Sequence, residues 1–343
     1  MITRTQDEVT AKWPANEKPL VSIRCTAFNH EKFIAQCLEG FLIQETDFPF
    51  EVCVHDDASS DNTAKIIQEY AEKYPKIIKP LIETENQYSK NDGSFTRIVN
   101  SMLNSKYIAV CEGDDFWTDP QKLQRQISYL ESHPDCSAVI HRCMKLNDRT
   151  GNIEGLFPKF ETARDIPTEE IILGGGGFFG TNTIVYHTEI KNFYAEEYWD
   201  VSPVGDFPLI LSCAYAGRVH YMPEAMSVYR IFSQGSWSSS TLIGKQAFAK
   251  RSAHIEGCEK SLRSYDKFTK YQYSKAIQEK IDLNNFNLYW DYGMWTKLKT
   301  TSHYQKRSFI GKMKALYHCI SCHGPMKFIS RSEERRVGKE CRS

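Results

Sequence analysis

Two acidic clusters follow apolar runs, and their residue types suit a phosphate- or metal-dependent reaction. His55–Thr63 reads HDDASSDNT: Asp56 and Asp57 close the run FEVCV, and Asp61 stands four residues on, where a helical pattern begins. Adjacent like charges repel unless a donor or a cation lies against them. Asp57 there is placed to accept from a base N–H or a ribose hydroxyl, and Asp61 fits either a ligand contact or a helix cap. The second cluster, CEGDDFW, puts Glu112, Asp114 and Asp115 directly after YIAVC. On an extended backbone Glu112 and Asp114 point the same way. Hard oxygen ligands with open positions are what Mg²⁺ or Mn²⁺ takes when a substrate diphosphate completes the shell. The bland alternative is a solvated acidic turn, but flanking apolar residues would make three uncompensated acids costly to desolvate.

The elements around these clusters alternate. Leu20–Thr26, 50–57, 76–84, 107–113 and 136–147 read as strands from their short apolar, β-branched runs. Helical patterns separate them: 31–44, with Phe33, Ile34, Cys37, Leu38, Phe41 and Leu42 on one face, then 61–74, 94–104 and 120–133. Alternation at this pitch implies βαβ units and a mostly parallel sheet, whose ligands bind past the carboxyl ends of the strands. Both acidic clusters sit at such ends. Further on, a strand at Asn182–His187 follows the glycine run Gly174–Gly177. That run is not a phosphate loop, since no Gly-Lys-Ser/Thr follows it. Asp206 opens a buried apolar helix, and 218–230 reads as two short strands around Pro223.

Composition narrows the classes. Forty-three basic and 43 acidic residues cancel, so nothing calls for nucleic acid as a partner. The 11 cysteines are odd in number, unspaced and partly inside apolar runs, which fits a reducing, cytoplasmic setting. The N-terminal stretch is too polar for a signal peptide, and no run approaches the roughly 20 apolar residues of a membrane span. HCISCH (His318–His323) holds one C-x-x-C, which is not a four-ligand zinc site. The charged tail Arg331–Ser343 fits no preceding pattern and looks like read-through of a sequencing adaptor, so the natural chain is expected to depart from it after about Ser330.

AFNHEKFIAQCLEGFLIQ, VHDDASSDNT and CEGDDFWTDPQKLQRQ, in this order and spacing, resemble the family-two inverting glycosyltransferases with the GT-A fold. The likeness is greatest to bacterial members that build cell-surface polysaccharides. It implies an α/β GT-A fold, with a mostly parallel central sheet flanked by helices. An N-terminal arm would span 1–18, the catalytic domain 19–240 and a helical extension 241–330. It implies a sugar moved with inversion from a UDP-, GDP- or dTDP-linked donor to a glycan or lipid-linked acceptor, aided by Mn or Mg. By the same resemblance Ala27 and Phe28 line the nucleotide pocket, Asp57 contacts the nucleoside and Asp114 binds the metal. Glu112 stands where the family carries an aspartate and would contact the ribose or bind metal through water. Asp115 matches an acceptor-side or supporting acid. Asp206 matches the general base, against a plain helix cap. In YRIFSQGSW, Arg230 and Ser233 would approach the diphosphate and Trp237 the sugar or acceptor, although a surface salt bridge serves Arg230 equally well. The rival classes are a nucleotidyltransferase, for which an early basic glycine-rich loop is missing, and a non-catalytic nucleotide-sugar-binding module.

The last helical pattern, within 306–320, carries Phe309, Ile310, Met313, Leu316, Tyr317 and Ile320 on one face. Between Trp295 and Ser330 there are seven Lys or Arg and no acid. Such a basic amphipathic helix either packs on the catalytic domain or lies on an anionic membrane surface at the inner face of the plasma membrane.

Overall fold

A computed structural model describes residues 4–233 and 247–323. The chain divides into two compact units. The first holds the strands. These are β1 (Val21–Ala27), β2 (Phe50–Asp56), β3 (Ile78–Ile82), β4 (Tyr107–Val110), β5 (Phe116–Trp117), β6 (Cys136–Asn147), β7 (Asn152–Phe157), β8 (Arg164–Asp165), β9 (Val185–His187) and β10 (Arg218–Ile231). The helices of its first half are α1 (Gln6–Thr10), α2 (Ile34–Leu42), α3 (Thr63–Lys73), α4 (Ser94–Met102) and α5 (Lys122–Ser132). Later come α6 (Thr168–Gly174), which runs into the second unit, α7 (Glu197–Asp200) in the second unit, and α8 (Asp206–Ala216) in the first.

The main sheet runs β3-β2-β1-β4-β9-β6-β10-β5. Pairs β1–β2, β1–β4, β2–β3 and β6–β10 are parallel; β9 sits between β4 and β6 antiparallel to both. The sheet is therefore mixed, with its longest ladders parallel. β1 is buried almost throughout, its apolar Val21, Ile23, Cys25 and Ala27 alternating with Ser22, Arg24 and Thr26. The face carrying Val21, Ile23, Cys25 and Ala27 joins one core with α2, β2 and β4 residues, including Phe41, Val54 and Tyr107. The chain moves outward from β1 through β2 to β3, then returns on the other side of β1 as β4. That reversal makes the end of β1 a topological switch point, where open α/β sheets form their ligand crevice.

Three local outcomes differ from the sequence expectations. The segment around Pro223 is one long strand, with register shifts between Met222 and Ala225 and again before Ser227. Proline cannot donate to a ladder, and a bulge leaves it nothing to donate to. Residues 116–117 form a two-residue strand on β10, too short to show a period. Helix α5 begins at Lys122 with Gln121 as its cap residue, two positions after Pro120, and the Asp119 carboxylate accepts the Gln121 amide at 2.8 Å.

The second unit contains α9 (Ala247–Phe268), α10 (Ser274–Asp291), α11 (Trp295–Leu298), α12 (Ser302–Gln305) and α13 (Phe309–His323). The cysteines with described side chains are buried free thiols. Among the described residues no helix is long and apolar enough to cross a membrane.

Candidate active site

The end of β1 is flanked by both acidic clusters. The Asp57 amide donates to Ala27 O at 3.0 Å, and the Gly113 amide donates to Thr26 O at 2.9 Å. Asp57 and the Glu112–Asp114 loop therefore stand one strand to either side of β1, about 10 Å apart by sheet spacing. Gly113 is needed for this approach. A Cβ there would lie 2.9 Å from His30 Nδ1 and 3.1 Å from Ala27 Cβ.

The wall on the β2 side is built by cross-bonded loops. Asn29, at φ 56°, accepts the Ser60 amide on its side chain at 2.8 Å and donates its own amide to Ser59 Oγ at 2.9 Å. The His30 amide donates to Thr63 Oγ1 at 2.8 Å and the Glu31 amide to Asp61 at 3.1 Å. Asp61 also accepts the Thr63 amide at 2.9 Å. Burial pushes its carboxyl up, but the Thr63 and Glu31 hydrogen bonds outweigh this and hold it below the usual carboxylate range. Asp61 thus ties the two loops together at the entrance to α3. Asp57 is buried, and its two oxygens accept the Gln87 and Tyr88 amides at 2.7 and 3.0 Å. It pins the loop after β3, and each oxygen keeps a further lone pair. Phe28 and Tyr88, the ring neighbours of these anchors, are 47% and 70% exposed.

The acidic loop shows three different environments. Glu112 accepts a short hydrogen bond from Thr26 Oγ1. Below it, Arg24 is enclosed on the same strand face. Burial opposes its charge, but the Glu112 carboxylate, with Tyr186, Tyr194 and Cys25 adding to it, outweighs this, so its pKa rises. Its Nε has no partner. Asp114 accepts Ser233 Oγ at 3.1 Å. Asp115 is 2% exposed; Oδ1 accepts the Arg230 amide at 2.7 Å and Oδ2 is buried without a partner. Burial first, and the Asp114 carboxylate second, push its carboxyl well above the usual range despite the Arg230 amide. Asp114 and Asp115 thus disfavour each other's charge, a strain that a nearby cation would relieve. Among the described residues no three side chains of the ligating types gather as a complete cage. A shell of one or two carboxylates completed by substrate oxygens suits Mg²⁺ or Mn²⁺, so the donor set fits such a metal only with a diphosphate present.

Asp206 opens α8 and accepts the Phe207 amide at 2.7 Å. Burial raises its carboxyl to about 6; the Phe207 amide and its own pull the other way, and Glu112 adds to the rise. Gly176 lies directly against it: a Cβ there would stand 3.1 Å from Asp206 Oδ1. Tyr229 joins the acids electrostatically. Its hydroxyl is pushed up by burial and then by Asp115, Asp114 and Asp206. Glu112, Asp114, Asp115 and Asp206 therefore share one electrostatic neighbourhood.

Arg230 is already engaged. Its guanidinium pairs with Asp148 at 3.2 Å, bonds Gln36, and lies over the Phe33 and Phe116 rings at 4.8 and 5.0 Å. Its Nε is left without a hydrogen-bond partner. Ala27 is buried in the core and meets the site through its carbonyl. Trp237 lies outside the described residues. Sequence reasoning missed Arg24, Thr26, Tyr88 and Tyr229. Arg24 alone left a signal, the one charge inside a buried strand.

This sheet order, with acids at the switch point, is the GT-A architecture of nucleotide-diphospho-sugar transferases. Staphylococcus aureus TarS solved with UDP shares the fold at a TM-score of 0.54 and 16% identity, covering 88% of this chain and 80% of that one. Residues 22–187 match the model of glycosyl transferase family 2, and this region of the chain belongs to that family. An uncharacterized protein of Mycobacterium tuberculosis is 34% identical over 220 residues, or 64% of this chain and 61% of that protein. The chain thus spans about three-fifths of that relative's length. Chondroitin synthase from Escherichia coli is 32% identical over 136 residues, 39% of this chain and 18% of that enzyme.

Proposed function

We propose that this chain transfers a sugar from a nucleoside-diphosphate donor to a hydroxyl of a glycan or lipid-linked saccharide, with inversion, in surface polysaccharide synthesis. The observation that carries the reading is the gathering of Glu112, Asp114 and Asp206 in one electrostatic neighbourhood at the switch-point end of β1.

In this reading the nucleoside lies between Phe28 and Tyr88, whose exposed rings offer stacking faces. Asp57 holds the Tyr88 loop and keeps lone pairs free for a base N–H. Glu112, fixed by Thr26 and backed by Arg24, faces the ribose. Asp114, assisted by Ser233, would hold a divalent Mn or Mg that neutralises charge on the departing diphosphate. Asp206, with a carboxyl near 6, is ionised at neutral pH yet basic enough to take the proton from the attacking hydroxyl. Attack from the face opposite the diphosphate inverts the anomeric centre. Asp115 supports from beneath, holding the end of β10. The free thiols agree with a cytoplasmic setting at the inner membrane face.

Nucleotide release from a panel of UDP-, GDP- and dTDP-sugars, with and without Mn²⁺, tests this. One donor class should be consumed, faster with metal and acceptor. Binding without turnover would indicate a non-catalytic module, and pyrophosphate release from a nucleoside triphosphate a nucleotidyltransferase.

A further inference from the structure

We propose that α13 is a membrane-contact helix that lays its outward face on an anionic bilayer. It deepens the proposed function by naming the surface that brings the chain to a lipid-linked acceptor, and it rests on that reading for its purpose only.

Helix α13 carries two apolar faces. The inner one is satisfied: Ala315 and Cys319 are buried in a cluster with Phe286 of α10 and Leu298 of α11. Just before the helix, Arg307 covers the Phe286 and Trp290 rings at 4.6 and 5.1 Å, and within it His318 stacks on Trp290 at 4.3 Å. These contacts fix how the helix is turned. They leave Phe309 and Tyr317 77% and 75% exposed, with Ile310 and Met313 exposed between them. The sequence-derived face therefore splits, Leu316 and Ile320 being half-buried at its margin. At 3.6 residues per turn the four exposed side chains fall within an arc of about 100°. Lys312 and Lys314 flank that arc, each about a quarter turn or a little more from its centre. No Asp or Glu occurs between Trp295 and His323.

Single exposed apolar residues need no explanation, but a contiguous stripe of four large ones marks an interaction surface. Charge selects its occupant. A second copy would bring the same lysine rims together, and like charges across an interface are penalised. An anionic headgroup layer accepts both parts: the rings and aliphatic chains enter the acyl boundary while the lysines reach lipid phosphates. With 15 residues and lysines on it, the helix lies along the surface and does not span.

The test is flotation of the full chain with phosphatidylcholine vesicles containing about 30 mol% phosphatidylglycerol, against pure phosphatidylcholine, at low and high salt. The chain should float with the anionic vesicles at low salt and be released by high salt. Phe309→Ser/Ile310→Ser/Tyr317→Ser should bind at least tenfold more weakly, and Lys312→Gln/Lys314→Gln should lose about fivefold per lysine. Circular dichroism establishes that each variant is folded, and the lysine variant serves if the triple one is not. The proposal is overturned if the full chain ignores anionic vesicles, if folded variants bind as the original does, or if the stripe proves to hold a dimer that the triple variant dissolves. Nucleotide binding measured on the same samples separates the two readings: flotation without any nucleotide binding sinks the enzymatic reading and leaves this one standing.

Discussion

Asp206→Asn should stabilise the fold increasingly from pH 4 to 6, and by a constant amount above that, while abolishing transfer. The Asp206 carboxyl sits at about 6 in the folded chain against 3.8 when free, chiefly because it is buried, with two backbone amides opposing and Glu112 adding to the rise. The folded state therefore holds this proton more tightly than the unfolded state. Below pH 4 both states are protonated and the residue costs nothing. Between pH 4 and 6 the unfolded chain ionises first, so stability falls; above 6 the penalty is constant. About two pH units at 1.36 kcal/mol each set a ceiling near 3 kcal/mol, and residual solvent access lowers the expectation to about 2 kcal/mol. Asparagine keeps an oxygen for the Phe207 amide and carries no charge. Urea unfolding at pH 4, 5, 6 and 7.5 should show the two proteins equal at the acid end and the variant about 2 kcal/mol more stable at pH 7.5. A gap that does not change with pH, or a variant weaker at pH 7.5, would refute the burial argument. The same carboxyl predicts transfer that rises with pH through a midpoint near 6 and donor binding that survives the substitution.

Two further outcomes follow from the site. Asp115→Ala orphans the Arg230 amide and should cost about 1–3 kcal/mol, whereas Asp115→Asn keeps that bond, removes the burial penalty on the carboxyl and should be no less stable than the original; chemical unfolding at pH 7 distinguishes them. Phe28→Ala and Tyr88→Ala each remove an exposed ring beside the Asp57 anchor and should weaken nucleotide binding by about 1–3 kcal/mol in titration calorimetry, with unfolding midpoints little changed.

Apart from the two-residue β5, the alternating elements from β1 to β6 were legible from their short apolar runs and amphipathic periods. Both acidic clusters were legible because charges directly after buried strands have few structural explanations. What the sequence hid was partnership. Thr26 meets Glu112 across 86 residues, and Ser233 meets Asp114 across 119, so no local pattern announces either. Asp57 read as a ligand contact, yet both its oxygens serve backbone amides of a loop 30 residues on. Pro223 read as a strand break because a bulge, which needs a partner strand to exist, leaves no mark on one segment. The α13 face was visible as a period, but which part of it is buried was decided by Phe286 and Leu298 on other helices.

The central claim is that Asp114 at the β1 switch point joins a divalent cation to a nucleoside diphosphate. Calorimetric titration of UDP, GDP and dTDP into the original chain and Asp114→Ala, each with and without Mn²⁺, measures this directly. One nucleotide should bind the original chain at least tenfold more tightly with Mn²⁺, and Asp114→Ala should erase that gain. Equal, metal-indifferent binding by both proteins, or no binding of any of the three nucleotides, would contradict it.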